Sequence, residues 1–174
     1  MNKLAILISV SALSVLAQSG DNPMSTAVKN QYTTAKTNLT KAAEKMSADD
    51  YAFKATADVR SFGEIVGHVA DANYMFCSAA QGEKSPSTAS AEKTKTTKAD
   101  LVAALNESFA YCDKAYNALT DATAAGMVKF GRGDMARLGV LTFNNMHDYE
   151  HYGNLVTYMR LKGMVPPSSE PRKQ

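Results

Sequence analysis

A chain of 174 residues, 45% apolar and with a formal charge of +2, has the size of one domain that buries its core without needing staples. So small a net charge offers no electrostatic argument for nucleic acid or an anionic membrane as partner. Only five prolines occur, three of them in the last nine residues, and Ala, Leu, Met and Lys are plentiful, so helices are expected.

The start of the chain reads as a targeting segment. Lys3 precedes an apolar run from Leu4 to Ala17, and small residues flank a cut after Ala17. The run is about 14 residues long, short of the roughly 20 that span a bilayer, so an uncleaved anchor is the weaker alternative. This is the layout of a secretory signal peptide. The expectation is an exported protein, periplasmic or extracellular, with no stable membrane association after cleavage. No cysteine stands at the cut, which argues against a lipoprotein.

Residues 18–24 read as a loose leader. From Ser25 to about Met46, apolar residues fall at Val28, Tyr32, Ala35, Leu39, Ala42 or Ala43, and Met46, one stripe of a first helix. Ser61-Phe62-Gly63-Glu64 has the form of a capping box and opens a second helix that runs to about Ala80, with Phe62, Ile65, Val69, Ala72 and Phe76 inward. Gln81 to Thr97 is polar, holds Pro86 and has no apolar period, so it is expected as a long surface connection. Connections of this kind join parallel neighbours in helix bundles. A third helix is expected over Lys98 to Thr120, with Leu101, Leu105, Phe109, Cys112, Tyr116 and Leu119 on one stripe. Ala124 to Gly133 reads as a glycine-containing link, with no strand-like alternation. The last helix should cover Asp134 to Lys162 and stop at Gly163, with Pro166 and Pro167 beyond. The expected architecture is all-α: a four-helix bundle over residues 25–167, a long crossover between its second and third helices, and a disordered tail at 168–174.

Cys77 and Cys112 are the only cysteines. Export would allow them to pair, but their spacing equally suits two small core residues, and it leaves the disulfide open.

The chain holds three histidines, and their placement is informative. His147 and His151 stand four apart on the last helix, on one face and with Cβ atoms about 6 Å apart, so two imidazoles can converge on one ion. His68, on the second helix with Glu64 and Asp71 nearby, can supply a third ligand from a facing helix. The pair's stripe continues through Asn144 and Asn154, polar positions on an otherwise apolar helix. The bland alternative is two surface histidines and one core histidine. A second alternative takes His147-Asp148-Tyr149-Glu150-His151 as a metalloprotease-type helix with Asp148 as general base. It is disfavoured because aspartate is one methylene short and the one later acid, Glu170, lies in the tail.

The segments Ser61 to Ala70 and His147-Asp148-Tyr149-Glu150-His151-Tyr152-Gly153-Asn154-Leu155, followed by Tyr158 to Gly163 and Pro166-Pro167, resemble the DinB/YfiT-type superfamily over about residues 25–167. The resemblance implies a four-helix bundle that binds a divalent ion, zinc first and nickel second, through His68, His147 and His151. The family often carries His-Arg-Gly-Gln after the last ligand. Here His151-Tyr152-Gly153-Asn154 stands in its place, without the arginine.

The resemblance also implies a metal-dependent enzyme, either a hydrolase or a thiol transferase, acting on an unidentified small molecule. Export weakens the thiol version, because low-molecular-weight thiols are mainly cytoplasmic. Glu64 and Asp71 are the candidate bases, although the capping box already accounts for Glu64. The alternatives are a non-catalytic metal- or small-ligand-binding stress protein and a metal-free bundle that acts through its surface. A homodimer is compatible with the sequence, and nucleic acid is not an expected partner.

Overall fold

The computed structural model describes residues 22–171. Residues 1–17, expected above to be a signal peptide, and residues 18–21 and 172–174 lie outside the described residues. Four long helices, α1 (Pro23–Lys45), α2 (Phe62–Gln81), α4 (Lys98–Ala118) and α6 (Arg137–Leu161), form a bundle. Two one-turn helices, α3 (Ala91–Thr94) and α5 (Asp121–Ala124), and a hairpin of β1 (Met127–Phe130) and β2 (Gly133–Ala136) lie in the connections.

The stripes expected from spacing are the faces that become buried. Tyr32, Leu39 and Ala42 of α1 and Met46 at its C-cap, Phe62, Val69 and Phe76 of α2, and Leu105, Phe109 and Tyr116 of α4 meet in one core. Side-chain bonds show how the helices run. The start of α4 lies beside the end of α1, where Lys98 Nζ donates to the carbonyls of Glu44 and Met46, while Tyr32 Oη donates to the Phe109 carbonyl further along. These two helices are therefore antiparallel. Asn73 bonds Ser108, and Cys77 forms a disulfide with Cys112 at a Cα–Cα distance of 5.2 Å, so α2 and α4 are parallel and in register. Arg137 Nε donates to the Ala80 carbonyl and His68 meets His147, which makes α6 antiparallel to α2. Two parallel neighbours cannot be joined by a tight turn. The polar segment between α2 and α4 is the required crossover.

Local chemistry sets the ends of the helices. The capping box forms as expected: the Glu64 amide donates to Ser61 Oγ at 3.1 Å, and the Ser61 amide donates to Glu64 Oε2 at 2.6 Å. After α6, Gly163 takes φ +70° and the Met164 amide reaches the Met159 carbonyl at 2.9 Å. This left-handed stop is open to glycine without steric cost.

Four expectations are corrected. The crossover is not wholly irregular, because Ser90 caps the helix α3. The link after α5 contains a hairpin with register Phe130↔Gly133, Gly131 at φ +61° occupying the first central position of its two-residue turn. Its strands are four residues each, too short for an alternation to show, and Phe130 is anchored by ring contacts with Phe76 and Phe143. The last helix consequently begins at Arg137, and Asp134 lies in β2 instead, paired with Lys129. Both ends of the bundle are more ordered than expected: α1 already includes Pro23 and Met24, and Ser168 to Glu170 are packed down. Ser168 donates its amide to Tyr152 Oη, Ser169 accepts from Arg160, and Glu170 pairs with Lys45 at 2.6 Å. The polar composition of the tail concealed these side-chain anchors.

Candidate metal centre

The capping box fixes the start of α2 and therefore the face on which His68 emerges. On α6, His147 and His151 share one face by their spacing of four. Antiparallel packing of the two helices brings all three rings together. His147 Nε2 lies 3.1 Å from His68 Nε2 and 3.1 Å from His151 Nε2. One ligand atom from each residue falls within 4.8 Å of the others. A tetrahedral ion with Zn–N bonds of about 2.0–2.1 Å holds its ligand atoms roughly 3.3 Å apart, so the spacing suits an ion.

The partners of the outer nitrogens reinforce that fit. His68 Nδ1 lies 3.1 Å from the carboxylate oxygen Oε2 of Glu92, and His151 Nδ1 lies 3.1 Å from Asn154 Oδ1. Both partners are acceptors, so each Nδ1 carries the proton and each Nε2 presents a lone pair inward. Lone pairs aimed at one point are stabilised by a cation between them, or by a proton on His147 Nε2 when no ion is bound. His147 is buried on its outer side, where Nδ1 has no hydrogen-bond partner. The cluster can therefore hold a divalent metal.

Burial, then the neighbouring imidazoles and Arg60, lowers the His147 pKa to about 4. Burial, followed by His68, also lowers that of His151. Neutral imidazoles are the metal-binding form, so protons do not compete for His147 at neutral pH. A depressed histidine pKa means that the unfolded chain binds more protons than the folded one between about pH 4 and 6.5. Stability from this group is thus present above pH 6.5 and lost as pH falls through 4. Metal-stripped protein should show a lower urea midpoint at pH 4.5 than at pH 7, and His147→Gln should lose less over that interval. Equal losses in the two proteins would contradict a buried neutral imidazole. Comparing the two also separates His147 from Asp148, whose buried carboxyl has its pKa pushed well up and acts with the opposite sign.

Among the described residues, no fourth His, Cys, Asp or Glu joins the cluster. A cleft of about 660 Å³ opens beside it, lined in part by His151, Asn154, Tyr158, Arg60, Glu92 and Ile65. The cleft meets the cluster at His151, and three protein ligands alone would leave a tetrahedral ion one further position.

The carboxylates considered as bases are otherwise engaged. Glu64 is held by Ser61 and by Lys54 at 3.1 Å. Asp71 accepts from Ser90 Oγ and from the amides of Ala91 and Glu92. Asp148 is wholly buried, and its Oδ2 accepts from Asn144 Nδ2 in a core network with Tyr116, which removes the metalloprotease reading. Asn144 accordingly faces that network, and of the two stripe asparagines Asn154 is the one that reaches the cluster. Sequence reading missed Glu92 and Arg60. Nothing in the polar run around Glu92 has a period, and no local signal marks either residue.

The fold is a four-helix bundle in which three histidines, carried by two antiparallel helices, converge on a point that could hold a metal ion. The chain belongs to the DinB superfamily, whose profile matches residues 31–155. It is similar in structure to a DinB-like protein from Bacillus cereus ATCC 10987, with a TM-score of 0.70 and 15% identity over 82% of this chain and 95% of that one. It is also similar to a DinB-like protein from Bacillus subtilis, with a TM-score of 0.67 and 22% identity over 84% of this chain and 99% of that one. At these identities the likeness shows the fold. No curated protein matches the chain.

Proposed function

We propose that this is an exported protein that holds one divalent ion, zinc first and nickel second, on His68, His147 and His151, and acts on a small molecule bound in the adjacent cleft. The observation that carries this reading is the pair of 3.1 Å Nε2–Nε2 separations combined with outer acceptors that turn two of the lone pairs inward. Imidazole donors suit zinc and nickel, and three neutral ligands leave the ion its full charge. When bound, such an ion supplies Lewis acidity toward a ligand in the cleft. The histidines orient it, and Ile65, Val59 and Tyr158 give the open cleft an apolar side for the ligand.

Export is supported by the signal-like start of the chain and by the disulfide, since paired cysteines persist in oxidising compartments. An open position on such an ion would suit hydrolysis or transfer to a thiol. Non-catalytic ligand binding is the alternative, favoured by the engagement of Glu64, Asp71 and Asp148 elsewhere.

The test is elemental analysis of mature protein, stripped and then offered zinc, nickel or manganese. About one ion per chain is expected. No retained ion with any of the three would overturn the reading. Ester-hydrolysis and thiol-transfer assays on loaded protein then separate the two reactions, and turnover in neither assigns ligand binding alone.

A further inference from the structure

The crossover segment between α2 and α4 is polar, yet its helix α3 is held against α2 with unusual closeness. Three features of the chain hold it there. At Gly67, next to His68, an added Cβ would lie 2.7 Å from both the amide nitrogen and the Cα of Glu92, so this backbone approach requires glycine. One turn further on, Asp71 accepts from Ser90 Oγ at 2.6 Å and from the amides of Ala91 at 2.6 Å and Glu92 at 3.2 Å, pinning the start of α3. Finally, Arg60 Nε donates to Glu92 Oε1 at 2.8 Å. The outcome is a carboxylate whose other oxygen lies 3.1 Å from His68 Nδ1.

A loose surface ion pair requires none of this. Glu92 and His68 expose only 24% and 25% of their side chains, and the Glu92 backbone as well as its carboxylate is held in place. Burial works against the charged carboxylate, but Arg60 and then His68 hold its pKa below the ordinary value.

We propose that Glu92 is a positioning residue of the metal centre, with Arg60 as its clamp. Its carboxylate fixes the Nδ1–H tautomer of His68, sets the ring plane so that Nε2 faces the other two histidines, and raises the basicity of that nitrogen. Carboxylates bonded to the outer nitrogen of a metal-bound imidazole act in this way, and their loss typically weakens metal binding about 10–100-fold. The crossover is thereby part of the site rather than a passive link. This inference rests on the metal-binding reading above.

The experiment measures zinc affinity by competition with a chromophoric chelator, for the parent, Glu92→Ala, Glu92→Gln and Arg60→Gln. Cobalt(II) absorption spectra and melting of the stripped proteins accompany it. Glu92→Ala is expected to bind zinc about 10–100-fold more weakly and to shift the cobalt bands. Glu92→Gln keeps an acceptor for Nδ1–H, so it should recover part of that loss, and Arg60→Gln should fall nearest the parent. Stripped Glu92→Ala should melt within about 2 °C of the parent, because Asp71, and not the Glu92 side chain, holds the backbone of α3. Parent-like zinc affinity and cobalt bands in Glu92→Ala would overturn this inference and leave the metal reading intact. A parent that binds no metal would overturn both. Should Glu92→Ala melt far lower, Glu92→Gln and Arg60→Gln decide: parent-like affinity in both overturns the inference, and a graded loss supports it.

Discussion

The His147→Ala variant is expected to bind zinc about a hundred- to a thousandfold more weakly than the parent. Structural zinc sites are worth roughly 10–16 kcal/mol over four ligands, or about 2.5–4 kcal/mol for each, which is of the order of that range. His147 is the most telling of the three ligands to remove because its Nε2 is the atom within 3.1 Å of both others. Without it, His68 and His151 belong to different helices and share no common partner. The loss should also show as stability. With free zinc at about a hundred times its Kd, the parent gains about 2.7 kcal/mol, and the variant at the same zinc concentration gains little. Chelator competition and urea midpoints with and without zinc both measure this. Equal affinity in parent and variant would mean that any bound ion sits elsewhere.

The double variant Cys77→Ala, Cys112→Ala is expected to lose about 3–4 kcal/mol of stability. The disulfide closes a loop with a sequence separation of 35 residues, and the chain-entropy estimate for a loop of that size is of this order. That loop contains the whole polar crossover, which has few apolar contacts of its own to limit its freedom once the chain unfolds. Both cysteines are fully buried, so the substitution also removes some packing, which adds to the loss. Urea unfolding of parent and variant under non-reducing conditions measures the difference. A loss below about 1 kcal/mol would show that the parallel pairing of α2 and α4 does not depend on the link. Zinc affinity should survive, because the disulfide lies about two and a half turns along α2 from His68.

The candidate site was legible in unequal parts. His147 and His151 were readable because their relation is local: a spacing of four on a helix is enough to put them together. His68 could be proposed as a partner, but spacing alone could not place it opposite them, since that depends on the register in which α2 and α6 pack. Glu92 was illegible for a different reason. Its place depends on a backbone approach permitted by Gly67 and on an anchor supplied by Asp71, neither of which leaves a periodic trace. Asn144 shows the converse error. It shares a polar stripe with the histidines on paper, yet its amide turns to Tyr116 and Asp148 inside the core.

By itself, the sequence determined the four long helices, the capping box at Ser61 and Glu64, the stop at Gly163 and the facing of His147 with His151. All of these depend on residues within a turn or two of one another, where periodicity, capping and glycine's freedom act directly. Only the tertiary structure decided the meeting of His68 with that pair, the bonding of Cys77 to Cys112, the seat of Glu92 and the short hairpin. Each of those joins segments far apart in the chain. The geometry is set by how the apolar stripes of the helices pack against one another, and no local pattern encodes that register.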